Sequence, residues 1–317
     1  MKSSFESLTP KISNGFISEN SIIFSFTFPF RLGFSNAIIF VFLKNTNLVK
    51  SETAVNYFMA ILTLTTDLGT QDHYVGVLKG SLLSLAPTAT MVDISHAITS
   101  FDIYQAAYFV KKSFSYFPEK TVHLIGVCPY SLDKYRYIAV SYRNHYFIGL
   151  DCGMFSAIFE EAPQLIVNLD TMPNKNLATF SILDLPVNAA AKLLNGAKLS
   201  DLGTKAERIV ERKVLEPFSN TNSIDGYVAQ VDKFKNVITD IPKELFYNVG
   251  KNRAFTLAFK SYTIQAISSH YEDVIQGEAV AFFNFQGFLE IAINFGDAAT
   301  LLNFSRGEKI KIIFNDN

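Results

Sequence analysis

Asp67 is the residue of this sequence best placed to bind a ligand. It follows the apolar run 61–64 and precedes Gly69, so we expect it where a buried strand ends and a loop begins. Ligands of open α/β sheets bind at this edge, and a carboxylate there can accept hydrogen bonds from ligand hydroxyls. An Asp that ends a strand and is followed by Gly is more often part of a turn or a helix cap. The local sequence leaves both roles open.

Other stretches also combine acidic, amide and aromatic residues. Asp93 and His96 follow a second apolar run, and Phe101 with Asp102 comes shortly after. Further along the chain, residues 231–236 contain an Asp, a Phe and an Asn within five positions, Asp232, Phe234 and Asn236. Alone, this triplet is typical of a β-turn beside one core aromatic residue. Together the stretches have the donors, acceptors and ring faces that bind a small polar aromatic ligand.

Composition narrows the class of protein. The 317 residues are 49% hydrophobic and 18% charged, which suits two domains with full cores and excludes disorder of the whole chain. Basic and acidic residues number 28 and 29, for a net charge of −1. The chain therefore lacks the excess of basic residues that would favour nucleic acid as a partner. Small-molecule binding is the better expectation.

The chain has two cysteines, Cys128 and Cys152, and no metal-binding spacing of Cys or His. We therefore expect no metal and no disulfide framework, and the default compartment is the reducing cytoplasm. Nothing in the sequence places a base beside Cys128, so we interpret it as a small buried side chain rather than a nucleophile. Among the histidines, we expect His96 to orient a loop, His123 to lie in the core, and three to be exposed: His73, His145 and His270.

Residues 1–58 differ in pattern from the rest. Their apolar stretches, 21–32 and 37–43, are interrupted by Pro29 and Arg31 within the first and Gly33 just after it, whereas a membrane span needs about 20 uninterrupted apolar residues. No compact apolar segment ends in a small-residue cleavage site, which disfavours a secretory signal. We predict that the natural protein starts at Met59 and that residues 1–58 are a non-native or disordered extension. A membrane-anchoring segment is the alternative.

Strand-like and helix-like segments alternate over residues 59–212, which predicts an α/β domain with a mostly parallel central sheet. We predict strands at 61–65, 90–94, 121–127 and 165–169, a hairpin of 138–141 with 146–149, and helices at 74–85, 103–117 and 186–194. Residues 213–225 are polar and turn-rich, as in an interdomain linker. Over 226–317 short strands recur without a long helical pattern, which predicts a small antiparallel β-barrel. We predict these strands at 226–232, 236–239, 253–259, 262–267, 279–284, 288–294 and 309–314.

From Met59 onward, the order and spacing of these motifs resemble the S-adenosylmethionine hydroxide adenosyltransferases, relatives of the fluorinase and chlorinase enzymes. The resemblance rests on the Asp67 stretch, the Asp93 and Phe101 stretches, residues 231–236, and the stretches 287–292 and 296–299. It implies an α/β domain followed by a β-barrel and a homotrimer that binds S-adenosylmethionine between subunits. It also implies cleavage of S-adenosylmethionine without a cofactor, by attack of hydroxide or halide at the ribose C5′.

The resemblance also implies roles for individual residues. Asp67 would hold the two ribose hydroxyls, and Asp232 the methionine ammonium. Asn236 would recognise an adenine edge with its donor and acceptor. The adenosine would contact aromatic rings of Phe101, Phe234 and Tyr271. Thr179 would line the space beside C5′, Gln286 would offer an amide to the methionine carboxylate, and Ala298 lies in the last motif of the binding site.

This chain departs from the hydrolase pattern where water is activated. The family Asp, Arg and His positions hold Cys128, Tyr135 and Ser181 here, so no catalytic residue is clearly retained. Arg136 lies one place beyond the family Arg. Lys235 replaces a glycine of the Asp-x-Phe-Gly-Asn motif, and Phe285 with Gln286 replaces a polar pair at the carboxylate end.

These departures leave several hypotheses. The chain either cleaves S-adenosylmethionine with water to adenosine and L-methionine, using a substitute group to activate water, or is a non-catalytic adenosine or S-adenosylmethionine binder. A halogenase is a third alternative. Loss of general-base assistance commonly costs about 10²- to 10⁴-fold in rate, which is why the binder hypothesis stays open.

Overall fold

The computed structural model of the chain describes residues 60–127, 135–169, 180–213, 215–260 and 262–315, together with the backbone of four two-residue strands before residue 41. The chain forms two compact units, Met1–Phe58 and Met59–Asn317. In the first unit two antiparallel pairs form: β1 (Ile17–Ser18) with β2 (Ser21–Ile22), and β3 (Ser25–Phe26) with β4 (Ile39–Phe40). That residues 1–58 are a non-native extension stays a prediction. None of the described helices has both the length and the apolar character that crossing a membrane requires.

Seven strands form the first sheet of the second unit. They are β5 (Ile61–Thr66), β6 (Thr90–Ser95), β7 (Val122–Gly126), β8 (Tyr137–Tyr142), β9 (His145–Leu150), β10 (Leu165–Leu169) and β11 (Gly203–Ala206). Their order is β11-β10-β8-β9-β7-β5-β6. The pairs from β6 to β9 are parallel, and those from β9 to β11 are antiparallel. The hairpin between β8 and β9 turns at Arg143 and Asn144, whose positive φ angles of 47° and 62° match the twist of the strands.

Helices cover both faces of this sheet, as its alternating buried side chains require. The helices are α1 (Tyr74–Leu85), α2 (Ile103–Ser113), α3 (Met154–Ile158) and α4 (Leu185–Leu194), with three-residue and four-residue 3₁₀ turns at Phe114–Tyr116 and Leu199–Leu202. One core cluster joins α2 and α3 to one face, and a second joins α1 and α4 to the other. In β8, Ile138 and Val140 face the first cluster while Ala139 faces the second. The predicted α/β class is confirmed.

A second, antiparallel sheet follows. Its strands are β12 (Phe218–Ser219), β13 (Ser223–Val231), β14 (Val237–Pro242), β15 (Phe255–Phe259), β16 (Tyr262–Ile264), β17 (Ala279–Phe283), β18 (Phe288–Ile293) and β19 (Lys309–Phe314). Their order is β16-β15-β19-β13-β14-β18-β17, with β12 added to β13. The two end strands contact each other, and the N–H of Ser268 donates to the carbonyl of Ala281, so the sheet nearly closes. The predicted small antiparallel barrel is confirmed.

Two details of the second sheet differ from expectation. The prediction that residues beyond 226 are β throughout is wrong at α5 (Lys243–Gly250), an amphipathic helix that buries Phe246 in the barrel core; a short α6 (Ala298–Leu301) follows β18. At eight residues, α5 is too short to show a clear helical period among strand-forming neighbours. In addition, β12 and the start of β13 lie within the predicted linker 213–225.

A chain of buried polar side chains crosses the centre of the first sheet. His123 is fully buried on β7, and its Nδ1 lies 2.7 Å from Thr63 Oγ1 while its Nε2 lies 3.2 Å from His145 Nδ1. The ring of Phe147 stacks on His123. His123 therefore belongs to the core as predicted, but the prediction that His145 is exposed is wrong. His145 begins β9 directly after the turn, and residues beside a turn are usually exposed, which is why the sequence did not indicate its burial.

Acid is expected to destabilise the protein through His123. Burial, followed by the neighbouring His145, lowers the pKa of His123 to about 3, against about 6.5 in an unfolded chain. Below pH 6.5 the unfolded chain binds a proton that the folded chain excludes, so stability falls with pH. The expected loss between pH 7 and pH 5 is about 2 kcal/mol.

Urea denaturation at both pH values tests this expectation. The His123→Asn variant should lose less stability between pH 7 and pH 5 than the wild type, whatever its stability at pH 7. His73→Gln, at an exposed position, should keep the wild-type pH dependence. An unchanged pH dependence in His123→Asn would contradict the assignment.

Candidate functional site

Asp67 directly follows β5, at the carboxyl edge of the parallel strands. Its Oδ2 accepts the N–H of Phe101 at 2.8 Å, which stabilises Phe101 at a φ of 69°. Burial raises the pKa of Asp67, and the Phe101 N–H acts in the opposite direction. One hydrogen bond leaves a carboxylate with further lone pairs for hydroxyl donors. Asp67 thus shapes the loop and can still bind a ligand, so both roles considered from the sequence are compatible.

His96 directly follows β6 and lies at the same edge of the sheet. Its Nδ1 lies 2.7 Å from Thr66 Oγ1, and its Nε2 lies 3.1 Å from Asp93 Oδ1. Asp93 also accepts from Lys79 Nζ at 2.6 Å. The backbone carbonyl of His96 accepts the N–H of Gly69. These contacts connect the loops after β5 and β6, so His96 orients a loop, as predicted.

The barrel half of the chain also contributes to this edge. Asp102 caps α2 by accepting the N–H groups of Tyr104 and Gln105, and Arg306 binds both of its oxygens, with Nη2 to Oδ1 at 2.9 Å. Burial favours the neutral form, but Arg306 and the helix N–H groups together lower the pKa of Asp102. Since Asp102 follows Phe101, Arg306 also helps to place the loop that contacts Asp67.

Of the three positions where water activation was considered, Tyr135 and Ser181 lie near the amino end of β8. Cys128 and Thr179 fall outside the described residues. The hydroxyl of Tyr135 accepts from Arg212 Nη2 at 2.9 Å, and Ser181 Oγ lies 2.7 Å from the hydroxyl of Tyr137. Tyr135 and Ser181 are therefore held by neighbouring polar groups.

Arg136 does not replace the missing arginine, because it is bound elsewhere. Its Nε and Nη2 both donate to Oδ2 of the fully buried Asp151 at 3.1 Å, and the other Asp151 oxygen accepts the N–H of Val210. The guanidinium near Tyr135 belongs instead to Arg212. Arg212 lies 77 positions after Tyr135 and belongs to no motif that the sequence analysis identified. Within the described ranges, no group of three or more His, Cys, Asp and Glu side chains could hold a metal ion.

The second cluster of predicted site residues is the turn between β13 and β14. Asp232 and Asn236 bond through their backbones, and Asp232 Oδ1 accepts the Asn236 N–H at 2.7 Å. Lys235 has a φ of 69°, so the turn keeps a conformation that glycine adopts more easily. For an L-residue this costs about 1–2 kcal/mol. The turn persists because its ends are bonded and because the Lys235 carbonyl accepts the N–H of Ala299 at 2.9 Å.

This turn borders an open cavity of about 720 Å³. The lining residues are Phe234, Asn236, Tyr271, Glu272, Ile293, Asn294, Phe295, Gly296 and Asp297. Phe234 is 77% exposed and Phe295 84%. Exposed aromatic rings beside amide and carboxylate groups suit a purine base, which offers a flat face and polar edges.

Two other predicted site residues, Ala298 and Gln286, are engaged in contacts within the chain. Ala298 is fully buried at the start of α6, where Asp297 caps the helix, so a ligand could reach its backbone rather than its side chain. Gln286 Nε2 donates to the carbonyl of Lys112 on α2 at 3.0 Å. In this single chain the Gln286 amide therefore connects the two domains, and a contact with a methionine carboxylate stays a prediction.

The cavity beside the Asp232 turn is lined by residues of the barrel domain alone. All nine cavity-lining residues lie between 234 and 297, and the cavity includes neither Asp67 nor Phe101. What the fold and these clusters define is a two-domain protein of α/β and barrel type, with polar and aromatic groups for a nucleoside divided between the two domains.

The chain belongs to the S-adenosylmethionine (SAM) hydroxide adenosyltransferase family. Residues 62–203 match the model described as the SAM hydroxide adenosyltransferase N-terminal domain, and residues 226–311 match the C-terminal domain model. The resemblance found from the motifs is thereby confirmed.

Similar proteins span nearly the whole second unit. The (R)-S-adenosyl-L-methionine hydrolase of Methanocaldococcus jannaschii is 29% identical over 268 residues, covering 80% of this chain and 96% of its own. The hydrolase of the same name from Thermus thermophilus is 30% identical over 261 residues, covering 78% and 97%. A fluorinase of Actinoplanes is 21% identical over 80% of this chain and 97% of its own. A crystal structure of an uncharacterized conserved protein from Thermotoga maritima superposes with a TM-score of 0.72 at 29% identity, covering 80% and 99%.

Proposed function

We propose that this protein binds S-adenosylmethionine and cleaves it with water to adenosine and L-methionine. The observation that carries the proposal is the cavity beside the Asp232 turn, which offers aromatic faces, an amide and a carboxylate. The higher identity to proteins named hydrolases than to the fluorinase favours water over halide as the nucleophile.

The chemistry requires positioning more than proton transfer to the leaving group. Water attacks C5′, the C–S bond breaks, methionine leaves as a neutral thioether, and one proton is released to solvent. Because the sulfonium already carries the positive charge, its departure needs neither an acid nor a cofactor, and we propose that none is used. Asp67 would hold the ribose, Asp232 the ammonium and Phe234 the adenine. Arg212, held by Tyr135, supplies a cation close to a position where the hydrolase pattern has arginine.

We further propose that the site is completed by a neighbouring subunit in a homotrimer. The aromatic rings of Phe234 and Phe295 are largely exposed in one chain, and Asp67 does not line their cavity. A second copy that brings its Asp67 edge to this cavity would cover the rings and unite the two clusters. The cytoplasmic location also remains a proposal, which rests on the sparse use of cysteine.

Incubation of the purified full chain with S-adenosylmethionine tests the proposed activity. Release of adenosine and methionine in equal amounts, followed by chromatography, is the expected result. Calorimetric titration with adenosine runs in parallel. Binding without release would support the non-catalytic alternative, and release of a 5′-halogenated nucleoside only when halide is added would indicate a halogenase.

Co-expression of two inactive variants tests the shared site. Asp67→Ala and Asn236→Ala are each expected to be inactive alone, because each lacks one cluster. If the two variants assemble at random in equal amounts, about a quarter of all sites combine an intact Asp67 with an intact Asn236 from different chains, so activity should return to that fraction of the wild type. Failure of co-expression to restore activity, with mixed oligomers demonstrated by differential tags, would place the site within one chain.

A further inference from the structure

Asn236 is part of a hydrogen-bond relay that begins at the buried Glu290 and passes through Tyr271, which is 42% exposed. Glu290 on β18 is 5% exposed; its Oε2 accepts from Asn284 Nδ2 at 3.2 Å, and its Oε1 accepts from the hydroxyl of Tyr271 at 3.0 Å. Asn236 Nδ2 in turn donates to the Tyr271 oxygen at 3.1 Å and lies 3.4 Å from Asp232 Oδ2. The edge of the Tyr271 ring contacts Phe282 at 4.7 Å between centroids, which fixes the ring.

The direction of each hydrogen bond in this relay follows from the Glu290 carboxylate. An ionised carboxylate can only accept, so Tyr271 must donate its single proton to Glu290. The phenol oxygen can then only accept, and Asn236 must turn its NH₂ group toward it. Asp232, also an acceptor, lies on the other side of the same NH₂ group. Tyr271 and Asp232 therefore engage both amide protons, so of the donor and acceptor that the resemblance implies for Asn236 only the acceptor, Oδ1, is left for a ligand.

The charges and hydrogen bonds around the relay act on its protons. Burial and the charge of Asp232 raise the pKa of Glu290, and the hydrogen bonds from Asn284 and Tyr271 offset only part of that rise. Burial and the adjacent Glu290 raise the pKa of Tyr271 to about 12, so the phenol keeps the proton that it donates. Burial, followed by the charges of Glu290 and Asp232, also raises the pKa of Tyr108 on α2 to about 12.

We propose that Glu290, acting through Tyr271, sets Asn236 as a hydrogen-bond acceptor and so makes this cavity select purines with an exocyclic amino group over purines with a carbonyl at the same position. The inference rests on the proposed function for the nature of the ligand and identifies Glu290 as a positioning residue. An amino group donates to Oδ1, whereas a carbonyl would place two acceptors against each other. A site built around one polar contact discriminates strongly against a ligand that cannot make it.

Calorimetric titration of the full-length protein with three nucleosides tests the proposal. Adenosine carries the amino group, purine riboside carries hydrogen there, and inosine carries a carbonyl. The expected order of affinity is adenosine, purine riboside, inosine, with about 5-fold lost at the first step and a total of at least about 50-fold between adenosine and inosine. Equal affinity for adenosine and inosine, or no binding of any of the three, overturns the proposal.

Two variants separate positioning from support of the fold. Glu290→Gln can donate to Tyr271, which frees the phenol proton to reach Asn236 Oδ1 and lets the amide reverse; Tyr271→Phe removes the acceptor with little change of shape. In both, the adenosine-to-inosine affinity ratio should fall at least about 10-fold. Glu278→Gln, an exposed glutamate of the same barrel, should keep the wild-type ratio. Circular dichroism and oligomer size confirm that the compared proteins are folded.

A ratio that stays at the wild-type value in both folded variants would overturn the role of Glu290. The ratio is independent of turnover, so the two conclusions fail separately. Absence of S-adenosylmethionine cleavage together with strong preference for adenosine would reject the hydrolase activity and retain the inference. Normal cleavage of S-adenosylmethionine, together with adenosine-to-inosine affinity ratios that are unchanged in both variants, would retain the hydrolase activity and reject the inference.

Discussion

Replacing Asp67 by alanine is expected to weaken adenosine binding by about 100-fold or more. The carboxylate is proposed to accept two ribose hydroxyls, and hydrogen bonds to a charged group contribute about 1.5–3 kcal/mol each. Two such bonds at the lower limit amount to about 3 kcal/mol, which corresponds to about 100-fold in affinity. The variant also loses the 2.8 Å contact that holds Phe101 at positive φ, so the loop beside the ligand becomes less ordered.

Calorimetric titration with adenosine measures this loss. Asp72→Ala is the matched control, because Asp72 is an exposed carboxylate only five positions away, and it should retain wild-type affinity. Asp67→Asn should fall between the two, since an amide keeps one acceptor oxygen but must use it for either the Phe101 N–H or a hydroxyl. Equal affinity of Asp67→Ala and the wild type would remove Asp67 from the site.

Replacing Arg136 by methionine is expected to lower the free energy of unfolding by about 3 kcal/mol. Asp151 is fully buried and receives two N–H groups of Arg136. Removing one partner of such a pair leaves a buried charge without compensation, which typically costs about 3–5 kcal/mol. The lower limit applies here because the Arg136 side chain is 44% exposed and the Val210 N–H still binds Asp151.

Urea denaturation of the variants provides the measurement. Arg143→Met is the control, because in the described part of the chain the ion pairs of Arg143 are with the exposed Glu160 and Glu161, and such pairs contribute little. Its denaturation midpoint should stay close to that of the wild type. The double variant Arg136→Met with Asp151→Leu should recover part of the lost stability, because the unpaired charge is then absent. A single variant as stable as the wild type would show that Asp151 is not ionised or not enclosed.

The sequence predicted much of the fold because local patterns encode it directly. Period-two and period-3.6 hydrophobic patterns gave the strands and helices of the α/β domain, and the apolar run before Asp67 placed that residue at a strand end, where the structure has it. The pattern predicted the β8–β9 hairpin but not the strand β11 or the antiparallel pairing of β10, since strand direction depends on which distant strands pair. It also missed α5 and the burial of His145, where a short segment and a turn-adjacent residue give little periodic signal.

By itself the sequence determined the fold class, the two clusters of ligand-binding residue types and the family to which they belong. Only the tertiary structure decided how those residues are used. It showed that Lys235 keeps a glycine-like turn, that Arg136 is committed to Asp151, and that Arg212 reaches Tyr135. It also revealed that Arg306 holds Asp102 from 204 positions away, and that Glu290 and Tyr271 fix the direction of Asn236. The physical reason is that hydrogen-bond direction and ion pairing depend on which atoms lie close together in the folded chain. Residue type and sequence spacing alone do not specify those contacts.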